Sequence, residues 1–150
     1  MDIRFNLIKP IKRRSLSPKK TSKTPHEKKY SAKQEKGFLY EKVALEFLQA
    51  QGLSLLEQNL ACKTGEIDLV MQDKDVLVFV EVRFRKNQDY GGAISSLTLQ
   101  KIHKLRRTAS YFLPYLSQKY FKKIPFCRFD AICIDGITQE KIWLKNFIPY

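Results

Sequence analysis

Gly65-Glu66-Ile67-Asp68-Leu69-Val70-Met71-Gln72-Asp73-Lys74-Asp75-Val76-Leu77-Val78-Phe79-Val80-Glu81-Val82-Arg83-Phe84-Arg85 is the stretch that decides the fold. Glu66 to Met71 and Val76 to Arg85 have the length and the β-branched and aromatic content of strands. The second is apolar enough for a central strand, buried on both faces. Gln72-Asp73-Lys74-Asp75 reads as the hairpin loop between them. Side chains alternate along a strand, so Glu66, Asp68 and Val70 share one face, as do Leu77, Phe79, Glu81 and Arg83. A loop of two or four residues puts both sets on the same side of the sheet. Pairing Gln72 with Asp75 sets Asp68 opposite Phe79 and diagonal to Glu81, at roughly 7–8 Å at most.

That face is unusual as structure. Val78, Val80 and Val82 make the other face apolar, whereas Glu81 and Arg83 interrupt a run that otherwise asks for full burial. Two carboxylates brought together in a sheet repel unless a cation or a proton compensates. Mg²⁺ (or Mn²⁺) meets that demand, because it takes one or two carboxylates and keeps waters for phosphate oxygens. Such an ion lowers the pKa of bound water and polarises a phosphoryl oxygen. Asp68 and Glu81 are therefore the candidate metal ligands. The competing reading is an amphipathic hairpin with a solvated charged face and an Arg83 salt bridge, and the Asp-x12-Glu spacing does not choose between the two.

On the N-terminal side, residues 38–50 pattern as a helix with Gly52 as its stop. Lys42, Glu46 and Gln49 form its polar strip. Glu41 lies off that strip, beside Ala44, Leu45 and Leu48, and is expected either to be buried with a partner or to face a cleft. Residues 53–62 form an irregular strand candidate that turns at Lys63-Thr64-Gly65. On the C-terminal side, Tyr90-Gly91-Gly92 reads as a flexible loop. A helix then runs from about residue 96 or 98 to Leu113, just before Pro114. Its core stripe is Leu99, Ile102, Leu105, Ala109 and Phe112, with Lys101, Lys104 and Arg107 outside. Phe38 and Trp143 are also expected in the core. Strands are expected at 126–134 and 141–145, with Asp135-Gly136 as a turn. The order is α-β-β-β-α-β-β, an α/β fold with a mixed central sheet flanked by helices.

The chain has 150 residues, enough for one domain with an adequate core. Its net charge of +13 points to an anionic partner. Residues 1–36 carry 12 Lys and Arg against 3 Asp and Glu, whereas residues 37–150 carry 16 against 12. The first 36 residues thus read as a basic, disordered tail, either a solvated leader or a non-specific phosphate-binding arm, and 37–150 as the folded domain. A transit peptide is disfavoured by Asp2 and the Pro–Lys spacing. Three cysteines without a CxxC argue against a disulfide framework or zinc knuckle and favour a reducing, cytoplasmic setting. No apolar run approaches the roughly 18 residues of a membrane span.

Gly65-Glu66-Ile67-Asp68-Leu69-Val70, Val78 to Arg85 and Arg128-Phe129-Asp130 together resemble the YraN-like family of uncharacterised proteins, over about Gly37 to Phe147. That family resembles the PD-(D/E)XK nuclease superfamily. The resemblance implies a restriction-endonuclease-like or tRNA-endonuclease-like fold with an α-β-β-β-α-β core. It also implies a metal-dependent nuclease acting on DNA or RNA. Asp68 and Glu81 would bind the metal, the helix-borne Glu41 would support the site, and Arg83 would stand where the superfamily has Lys. Ile67 replaces the usual Pro, a mild departure. Arg83 is a larger one: it positions and stabilises charge but cannot act as a base. Either the metal alone activates water, or Lys101 reaches in from the next helix, or catalysis is lost. Lys101, Lys104 and Arg107 would track the nucleic-acid backbone. Many nucleases of this type act as dimers, which allows a homodimer. The alternative is a non-catalytic nucleic-acid-binding module that keeps the fold. Glu66 is either a support for Asp68 or a turn carboxylate, Asp130 is expected as a structural anchor, and Tyr90 as a turn tyrosine.

Overall fold

The computed structural model describes residues 31–85 and 97–148. The tail up to residue 30 and the Tyr90-Gly91-Gly92 loop lie outside the described residues.

Helix α1 spans Ala32–Ala50 and so begins earlier than the expected 38–50. The reason is a capping box: the Ser31 hydroxyl accepts from the Gln34 N–H, and the Gln34 side chain accepts from the Ser31 N–H. Residues 32–36, read as the end of the tail, are therefore helical. Ala32 and residues 34–37 are exposed, and Phe38, expected in the core, is 44% exposed. Ser31→Ala should lower stability by about 1 kcal/mol, seen as a lower urea midpoint with an unchanged slope. An unchanged midpoint would show that this turn stands outside the cooperative unit. The helix stops at Gly52 (φ 92°), as expected.

Strands β1 (Ser54–Cys62), β2 (Gly65–Asp73) and β3 (Val76–Arg85) form an antiparallel meander. Helix α2 (Leu99–Leu116) then crosses over to β4 (Phe126–Asp135), which runs parallel to β3. Parallel neighbours need such a crossover. Strand β5 (Lys141–Leu144) adds antiparallel to β4, giving the sheet order β1-β2-β3-β4-β5. This is the α/β mixed sheet flanked by helices that the pattern implies. Among the described residues, no helix is long and apolar enough to cross a membrane.

Two apolar layers hold the sheet between the helices. On the α1 side, Ala44 and Leu48 pack on Leu69, Met71, Val78, Val80, Ile132 and Ile134. On the α2 side, Leu105 and Ala109 pack on Ile67, Val70, Leu77 and Phe79. Ile102 and Phe112 join the α2 layer from the edge, but Leu99, in the first turn of α2, is 75% exposed. The helix also runs through Pro114 into a wider turn at Ser117–Phe121 rather than ending at Leu113.

The hairpin departs from the expected register. Its loop is two residues, Lys74 and Asp75, flanked by the pair Asp73↔Val76, and Lys74 takes φ 54°. Val70 therefore faces Phe79, and Gln72 faces Leu77. The pairing has moved by two residues, which preserves parity. Val70, Leu77 and Phe79 do share a face, as the alternation requires.

Candidate active site

The β2–β3 ladder ends at Leu69↔Val80. Continued in register, it would set Asp68 opposite Glu81 and Ile67 opposite Val82. Ile67 lies in the α2-side layer, however, while Leu69 and Val82 lie on the α1 side. Strict alternation has broken at Asp68. The Val82 N–H donates to Asp68 Oδ2 at 2.7 Å, so a side-chain carboxylate stands in for the strand partner. On the other side, the β1 pairs Gln58↔Leu69 and Leu60↔Ile67 bracket Asp68 and leave Asn59 across from it. Asn59 adopts φ 51°, the left-handed region that Asn tolerates better than most residues. The sheet opens on the β3 flank of Asp68, while β1 stays paired on either side of Asn59.

A cleft of ≈ 410 Å³ fills the opening. Asp68, Glu81, Glu41, Arg83 and Lys101 all line it, together with Lys36, Gly37, Tyr40, Val82 and Phe84. The two carboxylates singled out in the hairpin thus meet in one cleft. They meet through a broken ladder, not through the diagonal of a regular one.

Glu81 is 2% exposed and unevenly partnered. Its Oε1 takes Lys101 Nζ at 2.7 Å and Arg83 Nη1 at 3.3 Å. Its Oε2 is buried and has no hydrogen-bond partner. A bare buried carboxylate oxygen is costly, and it is an acceptor aimed at nothing on the protein. Lys101 sits in the first turn of α2, where Thr98 Oγ1 caps its N–H at 3.3 Å. A cation at a helix N-terminus opposes the helix dipole, so Glu81 is what accounts for its position. The periodicity of α2 assigns Lys101 to the solvated face. Lys101 instead turns into the cleft, the alternative in which it reaches in from the helix, while Lys104 and Arg107 stay exposed and do not line it.

Burial, and after it the charge of Glu81, raise the Asp68 carboxyl to about 7, against the pull of the Val82 N–H. Burial also raises Glu41, opposed by a hydrogen bond from the Asn59 side chain and reinforced by Glu66 and Glu81. Glu41 is thus the cleft-facing carboxylate expected of its place on α1. Glu66 is exposed and acts on Glu41 only through its field. Three acids thus crowd one cleft with two cations on a single oxygen.

Among the described residues, no group of three or more His, Cys, Asp and Glu is arranged to hold a metal ion. A pair is enough for Mg²⁺, which keeps most of its waters. Asp68 and the unpartnered Oε2 of Glu81 fit that demand.

Residues 40–134 match the model of "Uncharacterised protein family UPF0102". The chain belongs to the UPF0102 family. A UPF0102 protein of Herminiimonas arsenicoxydans is 52% identical over 118 residues, covering 79% of this chain and 90% of that one. One from Psychromonas ingrahamii is 49% identical over 115 residues, covering 77% and 90%. One from Legionella pneumophila is 45% identical over 114 residues, covering 75% and 93%. The YraN-like resemblance is thereby borne out at the level of the family. The UPF0102 span contains Glu41, Asn59, Asp68, Glu81, Arg83 and Lys101.

Asn59 and Tyr40 escaped the reading of the sequence. An Asn in mid-strand, in a stretch already irregular, is the one available signal for Asn59. Tyr40 carries none, since an aromatic on a largely apolar helix reads as core. Asp130 has the anchoring role expected of it. It is fully buried and accepts from Arg128 Nε, Trp143 Nε1 and the Asn146 N–H.

Proposed function

We propose that the protein is a metal-dependent nuclease that hydrolyses phosphodiester bonds in DNA or RNA. The observation that carries this is the convergence of Asp68 and Glu81 on one cleft with a buried, unpartnered oxygen on Glu81. Asp68 and Glu81 would hold Mg²⁺ or Mn²⁺. Bound there, the ion would supply an activated water and charge stabilisation at the phosphate.

The chain's own residues have separable roles. Glu41, held by Asn59, adds negative charge that favours a cation in the cleft. Arg83 and Lys101 neutralise Glu81 in the free protein and offer their positive charge to an incoming phosphate. With Lys101 held as a cation on Glu81, as Arg83 is, activation of water would fall to the metal. Lys104 and Arg107, exposed further along α2, would take backbone phosphates.

The test is hydrolysis of single-stranded, duplex and branched DNA and RNA with Mg²⁺ or Mn²⁺, with EDTA, and with Asp68→Ala. Cleavage that requires the metal and disappears in Asp68→Ala is the expected result. Cleavage that survives the substitution removes this site from the chemistry. Binding without cleavage supports the second reading, a non-catalytic nucleic-acid-binding module, which Arg83 in place of Lys favours.

A further inference from the structure

One feature of the cleft has no part in metal binding. Tyr40 and Phe84 stack face to face within its lining, with centroids 3.7 Å apart and planes 16° from parallel. Phe84 is also packed closely against the chain at Gly136. A Cβ at Gly136 would come within 2.6 Å of its Cε2 and Cζ and 2.9 Å of the Arg85 carbonyl oxygen, so only glycine fits there. The Gly136 N–H bonds that same carbonyl at 2.8 Å. The rear ring is thus held by the chain at Gly136 and by Tyr40.

The front is open. Helical side chains lean toward the N-terminus, so Tyr40 leans over the turn that contains Gly37. Gly37 lines the cleft and has no side chain to cover the ring. A Cβ built on it meets only Glu41 Oε1, at 4.0 Å. Lys36, beside it, also lines the cleft.

We infer that Tyr40, backed by Phe84, is a stacking platform for an unpaired nucleobase next to the phosphate held at Asp68 and Glu81. This rests on the nuclease reading and narrows its substrate to strands with an unpaired nucleotide at the cut: single strands, flaps or junctions. A base within a duplex is already stacked on both faces and gains nothing from the ring. A rigid aromatic face costs little ordering on binding, and base–aromatic stacking tolerates any sequence.

Fluorescence anisotropy in EDTA, where nothing is cut, compares a labelled single-stranded oligonucleotide with a blunt duplex of the same sequence. Tyr40→Leu should weaken single-strand binding about 5- to 100-fold, while Tyr40→Phe stays near wild type and duplex binding changes for neither. Gly37→Leu should weaken single-strand binding similarly, because it fills the space over the ring. It replaces a helical glycine with a better helix former, so it carries the test if Tyr40→Leu does not fold. Equal losses on duplex and single strand, or no loss, overturn the platform. If Asp68-dependent cleavage persists while Tyr40→Leu binds normally, only the platform falls. If the wild type binds no nucleic acid either in EDTA or with Mg²⁺, the nuclease reading falls with it.

Discussion

Asp68→Asn is expected to give a protein more stable than wild type at pH 8 that cleaves nothing. The folded Asp68 carboxyl, raised to about 7 from 3.8, binds a proton that the unfolded chain has already lost. Wild-type stability from this group therefore falls as pH rises from about 4 through about 7, and the full penalty remains above that. A rise of this size corresponds to about 4 kcal/mol at most. Partial solvent contact at Asp68 and its coupling to Glu81 reduce the expected gain to about 2 kcal/mol. Asparagine keeps an oxygen for the Val82 N–H, now 2.7 Å from Oδ2, so the strand opening survives. Urea melts at pH 4.5 and pH 8 provide the check, with the advantage of the variant vanishing at the lower pH. Mg²⁺ at a hundredfold excess over its dissociation constant should add about 2.7 kcal/mol to the wild type at pH 8 and nothing to Asp68→Asn. A variant less stable than wild type at pH 8 would show that the cleft carries no electrostatic strain.

Asp130→Ala is expected to act in the opposite sense, with a large loss of stability and no loss of cleavage per folded molecule. Asp130 belongs to the Arg128-Phe129-Asp130 motif, so its sequence context alone allows a catalytic role. Its contacts argue for an anchor. The carboxylate receives both Arg128 Nε bonds at 3.1 Å, Trp143 Nε1 at 3.0 Å and the Asn146 N–H at 2.9 Å. It does not line the cleft. Alanine would remove one of the two carboxylates that hold Arg128, leaving it Asp73 at 2.8 Å, and would leave the Trp143 and Asn146 N–H donors unsatisfied. Each buried donor left without its acceptor costs about 1–3 kcal/mol, together a large share of a domain's total. The melting temperature should fall by roughly 10–20 °C. A stable but inactive Asp130→Ala would reassign the residue to the site.

The two predictions separate parts of the molecule that differed in how legible they were. Strand β3 was readable because its composition leaves one option, a central strand, and the hairpin's parity was readable because it depends only on whether the loop count is even. Exact register was not. A two-residue turn centred on Asp73–Lys74 and one centred on Lys74–Asp75 have the same parity but differ by two residues in register, and the chain takes the second, with Lys74 at φ 54°. The start of α1 was missed because its signal, Ser31 with Gln34, is a local hydrogen-bond exchange inside a basic stretch that reads as solvated. Leu99 and Phe38 were misplaced because periodicity reports which face a residue is on and not whether the partner surface extends that far.

Asp68 and Glu81 could be singled out as candidates from the sequence alone, since two acids intruding on adjacent apolar strands conflict with burial, although the spacing left a solvated charged face equally open. The sequence by itself thus determined the strands, their order, the layered α/β class and the two candidate carboxylates, because these follow from local composition and a fixed period of two. Tertiary structure decided that the ladder opens at Asp68, that Asn59 holds Glu41 across the gap, and that Lys101 leaves the solvent face of α2 to meet Glu81. Each of these joins residues from elements whose relative placement depends on a crossover and two packed layers, and no spacing along one chain segment encodes where such elements come to rest.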